Sequence, residues 1–189
     1  MRRTILLSIG LTMLLPCAAM AAPVDYAIDA AHTYPSLEMP HMGISVWRGK
    51  INRTSGTVRL DRDARSGTVD IAMEASSIDF GLDAMNEEAR KPRWLDAGQF
   101  PRLTYAGTIR FAGDTPVAVD GELTLRGQTH PVKLAINAFR CIEHPMTHRE
   151  VCGADAEADL DRVAFGMPAG NSPADSRIHL RIQVEARRQ

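Results

Sequence analysis

The chain has 189 residues, of which 44% are apolar and 24% charged, and its formal net charge is -1. This balance excludes a disordered chain, a collagen-like chain and a polybasic nucleic-acid binder. Aromatic residues make up only 5% of the chain, so base-stacking platforms are not expected either. The length is that of one domain. We therefore expect a single globular domain that has no nucleic-acid partner.

The N-terminus has the pattern of a secretory signal peptide. Arg2 and Arg3 form a positive start, and an apolar stretch follows from Thr4 to Leu15. That stretch is shorter than the roughly 20 residues that a membrane-spanning helix needs. The small-x-small site Ala19-Met20-Ala21 then allows cleavage after Ala21. Export through the inner membrane is the function that this pattern predicts.

Cleavage would leave residues 22–189 as one domain, located in the periplasm and not integral to the membrane. Cys17 raises lipid attachment as an alternative, because Leu residues precede it. Pro16 stands directly before that Cys, however, where lipoprotein signals have a small residue. We favour a cleaved signal peptide over residues 1–21.

Two cysteines would remain after cleavage, Cys141 and Cys152. An even number of cysteines in an oxidising compartment favours a disulfide. The same loop offers an alternative, because His144 and His148 complete the spacing C-x2-H-x3-H-x3-C. These residue types bind zinc or copper, although Pro145 would interrupt a helix that aligned the two histidines. The sequence favours the disulfide and leaves a metal- or redox-active loop as the alternative.

Apolar and polar residues alternate over much of the chain, which predicts half-buried strands. The clearest runs cover 69–75, 103–111, 117–125, 132–138, 154–160 and 178–186. Further strands are expected near 26–29, 36–41 and 46–60, and a phase shift in the last of these predicts a β-bulge near 53–56. Helical composition is confined to 83–96. About eight antiparallel strands with one helical insertion predict a closed barrel or a sandwich.

The interior of such a barrel has room for side chains or for one small ligand. His41 shares a strand phase with Leu37 and Met39, so it should face the interior, as a core histidine or as a contact to a ligand head group. Small residues at inward positions should leave space unfilled, and they are Gly107, Gly121, Ala138, Ala154, Ala156 and Ala158. The sequence therefore predicts an apolar cavity.

Catalytic motifs do not emerge from the sequence. A nucleophile elbow, a zinc-protease helix and a phosphate-binding glycine loop are all missing from it. We predict no catalytic residue and no enzyme activity. A hydrolase or isomerase that uses the barrel as its pocket is a weaker alternative, because carboxylates distant in sequence can meet in space.

Several motifs resemble the YceI family, in order along most of the chain. They are Tyr26-x-Ile28-Asp29-x-x-His32-Thr33, Met39-x-His41-Met42-Gly43, Ser77-Ile78-Asp79, Trp94-Leu95-Asp96, Phe100-Pro101, Leu103-Thr104-Tyr105 and Arg162-Val163-Ala164-Phe165-Gly166-Met167. The stretch from Gly121 to Val132 is close to that family's G-x-L-T-x-x-G-x-T-x-P-V pattern.

The resemblance implies a lipocalin-like, extended antiparallel β-barrel that binds a polyisoprenoid or a similar long amphiphile, quinone-like molecules included. It implies a periplasmic carrier with no cofactor other than the bound lipid and with no metal. A b561-type membrane cytochrome is implied as a partner, and a homodimer is compatible with it. The ligand-binding residues that we predict are Leu37, Met39, His41, Ile71, Met73, Tyr105, Leu123, Leu134, Ile136, Ala158, Phe165 and Ile182. A stress-related structural protein without a specific ligand is the remaining alternative.

Overall fold

The computed structural model describes residues 22–189, and the predicted signal peptide over 1–21 lies outside these residues. The described part contains eleven strands and one α-helix. They are β1 Val24–Ile28, β2 Tyr34–His41, β3 Ser45–Ile51, β4 Thr54–Asp61, β5 Ser66–Glu74, β6 Ile78–Asp79, α1 Asp83–Arg90, β7 Arg102–Ala112, β8 Thr115–Leu125, β9 Gln128–Glu143, β10 Glu150–Asp161 and β11 Arg177–Arg188. Short 3-10 helices cover Ala75–Ser77, Arg162–Phe165 and Ala174–Ser176.

Eight of the strands close a barrel in the order β1-β4-β5-β7-β8-β9-β10-β11, because β1 pairs with both β4 and β11. All of these pairings are antiparallel. The predicted all-β barrel is confirmed. Closure pairs every strand edge of the ring and so removes the exposed edges at which open sheets aggregate.

The other three strands form a flap, β2-β3-β6, that continues the sheet beyond β11. The long strand β11 makes this branching possible, because its two halves have different partners. His179–Gln183 pairs with β2, whereas Ala186–Arg188 pairs with β1. The flap extends the barrel wall on one side.

One end of the barrel, which we call the capped end, carries the irregular connections. The chain between β5 and β7 contains α1, and the chain between β10 and β11 contains two of the 3-10 helices. Leu95 and Met167 from these connections reach the interior. Asp83 in the first turn and Arg90 in the last turn suit the helix dipole of α1, and Pro92 prevents the helix from continuing. The predicted helical insertion is therefore present but shorter than 83–96.

The expectation of one bulged strand over 46–60 is wrong. The chain forms two strands, with a break at Asn52 and Arg53 between β3 and β4. β3 pairs with β2 in the flap, whereas β4 pairs with β1 and β5 in the barrel. The shift in apolar phase marks the passage from flap to barrel rather than a bulge.

Two register shifts occur elsewhere in the barrel. One lies between Arg110 and Phe111 and leaves Val117 of β8 without a partner in β7, so that Val117 is 38% exposed. The other lies between Asp155 and Ala156 and leaves Asn137 of β9 unmatched. Each extra residue reverses the inward and outward alternation of its strand.

Candidate functional site

A cavity of about 230 Å³ lies inside the barrel and is lined by residues from all eleven strands. Its volume is close to the lower end of the range for ligand pockets, about 300–1,000 Å³. Thr54 and Leu60 both line it, and six steps along β4 at about 3.3 Å each separate them by roughly 20 Å. The cavity is therefore long and narrow, a shape that suits a chain rather than a compact molecule.

The cavity wall is almost wholly apolar. Within residues 22–189, no Asp, Glu, Lys, Arg or His side chain lines it. The hydroxyl-bearing residues of the lining are Tyr26, Thr33, Ser36, Thr54 and Tyr105. The hydrogen bonds of these five side chains decide which polar groups a ligand could meet.

Two tyrosines use their hydroxyls within the protein. Tyr26 donates to Glu150 Oε2 at 2.8 Å, and burial together with this hydrogen bond raises the pKa of Tyr26 to about 12. The Tyr105 hydroxyl lies 2.9 Å from the carbonyl oxygen of Val132 and 3.3 Å from that of Val119. Burial also raises the pKa of Tyr105. Both tyrosine side chains are therefore neutral at physiological pH, and their hydroxyls stabilise the wall through hydrogen bonds within the protein.

The remaining hydroxyls divide into bonded and unbonded groups. Thr33 donates to the Glu185 carbonyl oxygen and accepts from the Glu185 amide, both at 3.1 Å. Ser36 has a weaker bond, 3.5 Å long, to the Tyr34 carbonyl oxygen. Thr54 is 3% exposed, and its Oγ1 has no hydrogen-bond partner anywhere in residues 22–189. This Oγ1 is buried away from the cavity surface, so the structure gives Thr54 no binding role.

Most of the predicted ligand-binding residues do line the cavity. They are Leu37, Ile71, Met73, Tyr105, Leu123, Leu134, Ile136 and Ile182. Phe139 also lines it, although it was not predicted. The alternation beginning at Val132 placed Ala138 inside, but the unmatched Asn137 turns Ala138 outward and Phe139 inward.

The other four predicted residues, Met39, His41, Ala158 and Phe165, are not part of the lining. The last pair between β2 and β11 is Glu38 with His179, so Met39 and His41 extend past the barrel wall into the flap. The His41 ring stacks on Trp47 there, with ring centroids 4.0 Å apart.

Phe165 and Ala158 are buried, but they pack against other parts of the protein and do not line the cavity. The Phe165 ring packs edge-on against His130 at a centroid distance of 5.0 Å, within a 3-10 helix of the capped end. Ala158 belongs to the hydrophobic core but, unlike Ala156 on the same strand, does not line the cavity. Contact with a ligand stays a prediction for all twelve residues.

The expected space beside small residues is only partly present. A Cβ at Gly121 would lie 2.5 Å from Cζ of Tyr105, so the aromatic ring already fills this position. Gly107 is similarly close to Val119 Cγ1. Ala154 and Ala156 do line the cavity, both from β10.

Cys141 and Cys152 form a disulfide, as predicted, and they pair directly across β9 and β10. The alternative metal site would need free thiolates and both histidines. His148 Nδ1 lies 2.9 Å from Glu143 Oε1, and His144 Nδ1 accepts from the Met146 and Thr147 amides. The structure does not bring the four side chains together as metal ligands.

In the part of the chain that the structure describes, no helix is both long enough and apolar enough to cross a bilayer. The sequence model of one protein family, the YceI-like domain, matches residues 26–186 of this chain. The chain belongs to the YceI family. This confirms the resemblance that the sequence motifs indicated.

Relatives of this YceI-family chain extend over nearly all of its length. A UPF0312 protein of Vibrio vulnificus is 31% identical over 187 residues, which cover 95% of this chain and 97% of the relative. BcnA of Burkholderia cenocepacia has a similar fold, with a TM-score of 0.68 at 20% identity over 84% of this chain and 98% of that one. A polyisoprenoid binding domain from Saccharophagus degradans has a TM-score of 0.63 at 12% identity, covering 88% and 99% of the two chains. At these identities the two structures show a shared fold.

Proposed function

We propose that this YceI-family protein binds or carries a polyisoprenoid or a similar long amphiphilic lipid, including quinone-like molecules, inside its barrel. The observation that carries the proposal is the long cavity, apolar over almost its whole wall. Each methylene of a lipid buried there contributes about 0.8 kcal/mol. Binding of this kind needs no covalent chemistry, and we propose no enzyme activity.

One structural neighbour supports the same ligand class. The Saccharophagus degradans domain is described as polyisoprenoid binding, and its fold resembles this one over 88% of the chain. Fold and cavity chemistry are independent arguments, because a similar barrel could have a filled or polar interior. Here the fold and the chemistry of the cavity both favour a long apolar chain as the ligand.

A periplasmic location is part of the proposal. It is supported by the signal pattern in residues 1–21 and by the disulfide, a bond that persists in oxidising compartments. A b561-type membrane cytochrome as partner and a homodimer are proposals that rest on the family resemblance alone.

The experiment that tests this proposal introduces a bulky side chain into the cavity from β10. Ala156 lines the cavity, whereas Ala158, which the sequence also predicted to face inward, does not, so we choose Ala156→Trp. Overpacking costs about 1–3 kcal/mol in a filled core, and the empty space should absorb much of the new ring. We expect the variant to fold and to lose binding of farnesol, measured by calorimetric titration of delipidated protein.

Glu157→Gln is the matched control, because Glu157 is the next residue of β10 and points its side chain outward towards His179. It should retain both fold and binding. Unchanged farnesol binding by a folded Ala156→Trp variant would contradict the interior site. Unfolding of that variant alone would show that this region is a packed core instead of a cavity.

A further inference from the structure

The turn between β2 and β3, at one end of the flap, exposes apolar side chains. Met42 is 73% exposed and Ile44 is 81% exposed, and every residue from Met42 to Val46 is exposed. Single exposed apolar residues are ordinary on protein surfaces, but a group of them marks a contact site. We call this segment, residues 42–46, the flap tip.

The local backbone does not explain the presence of Met42. Met42 and Gly43 have φ values of 55° and 72°, and the Ile44 amide donates to the His41 carbonyl oxygen at 3.1 Å. These are the features of a type I′ hairpin turn, whose two central positions favour Asn, Asp and Gly. A Met at the first of them has a strained backbone and an exposed side chain. Folding gains nothing from that combination, so we expect its benefit to come from a contact outside the chain.

The flap tip and its flanks are uncharged. The segment from Pro40 to Trp47 contains no Asp, Glu, Lys or Arg. The nearest charged residues along the chain, Glu38 and Arg48, pair with each other at 3.0 Å. Trp47 lies between the apolar tip and these charges, stacked on the His41 ring, and Trp is enriched at membrane–water interfaces. An apolar tip followed by a Trp and then by charges is the order expected of a segment that enters the interface of a bilayer.

The backbone of the flap tip is suited to an apolar medium. β2 and β3 pair as far as His41 and Ser45, and the hydrogen bond of the Ile44 amide closes the turn. Paired backbone groups can enter a bilayer, whereas unpaired ones are costly there. The Trp47 ring also packs edge-on against Phe80, with ring centroids 6.5 Å apart, so the hairpin presents its tip from a fixed base.

The size of the flap tip favours a bilayer over a second copy of this chain. The side chains of Met42, Ile44 and Val46 together expose roughly 300 Å² of apolar surface, whereas a stable protein interface needs about 800 Å² from each partner. A protein partner would also form hydrogen bonds around the rim of its interface, and the flap tip has few side chains that could donate or accept them. A bilayer requires neither a matching shape nor matching hydrogen bonds.

The flap tip lies beside the capped end of the barrel. The last pair between β2 and β11 is Glu38 with His179, close to the start of β11 at that end, and β2 is in contact there with the 3-10 helix Ala174–Ser176. Leu82, in the connection that leads into α1 at the same end, is also exposed. Leu37 of β2 lines the cavity, so a docked flap tip would hold the cavity within about 20 Å of the bilayer.

We propose that the flap tip inserts into the surface of a lipid bilayer and docks the protein there by its capped end. The partner is the bilayer itself and not a protein receptor. This inference goes beyond the proposed binding of a lipid inside the barrel. Docking gives a carrier of long amphiphiles access to the membrane that contains them, but it does not require a ligand in the cavity.

The experiment measures flotation of the purified protein with phosphatidylcholine vesicles in a density gradient. The test variant is Met42→Asn/Ile44→Thr, because Asn suits the first central position of a type I′ turn and Thr suits a strand. We expect the variant to fold with unchanged stability in urea, since both side chains are exposed. Its partition coefficient onto the vesicles should fall about tenfold or more, because two apolar side chains no longer leave water.

The matched control makes the same kind of change at the opposite end of the barrel. Ile142→Thr/Met146→Asn alters two residues that are also exposed but that lie between the charged Arg140 and Glu150 at the β9–β10 connection. This control should float with the vesicles like wild type.

Tryptophan fluorescence gives a second readout of insertion. Vesicles that contain brominated phosphatidylcholine should quench the emission of Trp47 in wild type, and the quenching should be lost in Trp47→Phe, which keeps an aromatic ring. Quenching that persists in Trp47→Phe would place Trp94 at the bilayer and contradict docking by the flap tip.

The outcomes distinguish the possible partners of the flap tip. Wild-type protein that does not float, or a folded Met42→Asn/Ile44→Thr variant that floats equally well, would overturn the proposal. A wild-type dimer that becomes monomeric in this variant, measured by analytical ultracentrifugation, would assign the flap tip to a second copy instead. Farnesol titration is independent of docking, and wild type and variant should bind farnesol equally. Absence of farnesol binding in wild type would count against the proposed function and leave the docking result unchanged.

Discussion

Asp29 ties the end of β1 to the last strand of the barrel. Its carboxylate accepts from Arg187, from the His32 ring at 2.7 Å and from the Ala31 amide at 3.2 Å. Burial raises the pKa of Asp29, but these hydrogen bonds outweigh it and hold the pKa below 3.8. Asp29, His32 and Glu185 also have the residue types of a metal site, yet Arg187 already neutralises the carboxylate.

Asp29→Asn is therefore predicted to destabilise the protein by about 1–3 kcal/mol at pH 7, by removing a buried, hydrogen-bonded charge. A carboxyl whose pKa is lowered by folding stabilises above its unfolded pKa, and the contribution is lost as pH falls through the folded pKa. Urea unfolding from about pH 5 to pH 2 should then show a steeper loss of stability for wild type than for the variant. Asp114→Asn, whose side chain is 85% exposed, should leave the slope unchanged.

Gly121 shows how one missing side chain positions a ring. The Tyr105 ring occupies the space where a Cβ would stand, and the Ala106 carbonyl oxygen is also only 2.7 Å from that point. We predict that Gly121→Ala lowers the free energy of unfolding by about 1–3 kcal/mol through overpacking. Gly98→Ala, where a Cβ would meet nothing within 4 Å, should have little effect. Equal stabilities of the two variants in urea would contradict this packing.

At the scale of elements, alternation predicted the barrel strands well, since each has one face against an apolar interior. It failed where strands are irregular. Val117 and Ala138 kept the apolar phase in sequence but face outward, because Val117 and Asn137 are extra residues in the ladder. Bulges depend on the partner strand, which a single sequence does not reveal. The same reason explains why the branching of β11 into barrel and flap was not predicted.

The site was predictable to the extent that it is a property of strands. Residues deep in long strands, such as Leu123 and Leu134, were placed correctly. His41 was misplaced because the phase of β2 says nothing about where its pairing with β11 ends.

The disulfide joins β9 and β10 near the end of the barrel opposite the capped end. It closes a loop with a sequence separation of 11, and such a loop is worth up to about 3 kcal/mol in the chain-entropy model. We predict that the double variant Cys141→Ala/Cys152→Ala is less stable by about this amount in urea. Reduced wild-type protein should match the variant.

The same bond has a direct chemical signature. The intact oxidised chain should be lighter than its reduced form by the mass of two hydrogen atoms. Two reactive thiols in the native, non-reduced protein would contradict the disulfide, and bound zinc or copper alongside them would restore the metal alternative.

At the scale of the whole molecule, the cavity is enclosed by residues of all eleven strands, eight from the barrel and three from the flap. The flap and the capped end lengthen and cover it, so a chain-like ligand could be shielded from water over roughly 20 Å. The central claim is that a lipid occupies this space. It concerns the content of the cavity, which fold alone does not decide.

Native mass spectrometry of protein purified from its own host measures that content most directly. We predict a species heavier than the ligand-free chain by one long-chain lipid, which disappears after extraction with organic solvent. The extract should contain a polyisoprenoid or a similar long amphiphile. A spectrum showing only the ligand-free mass, or an added mass that survives extraction and matches a metal ion, would contradict the account.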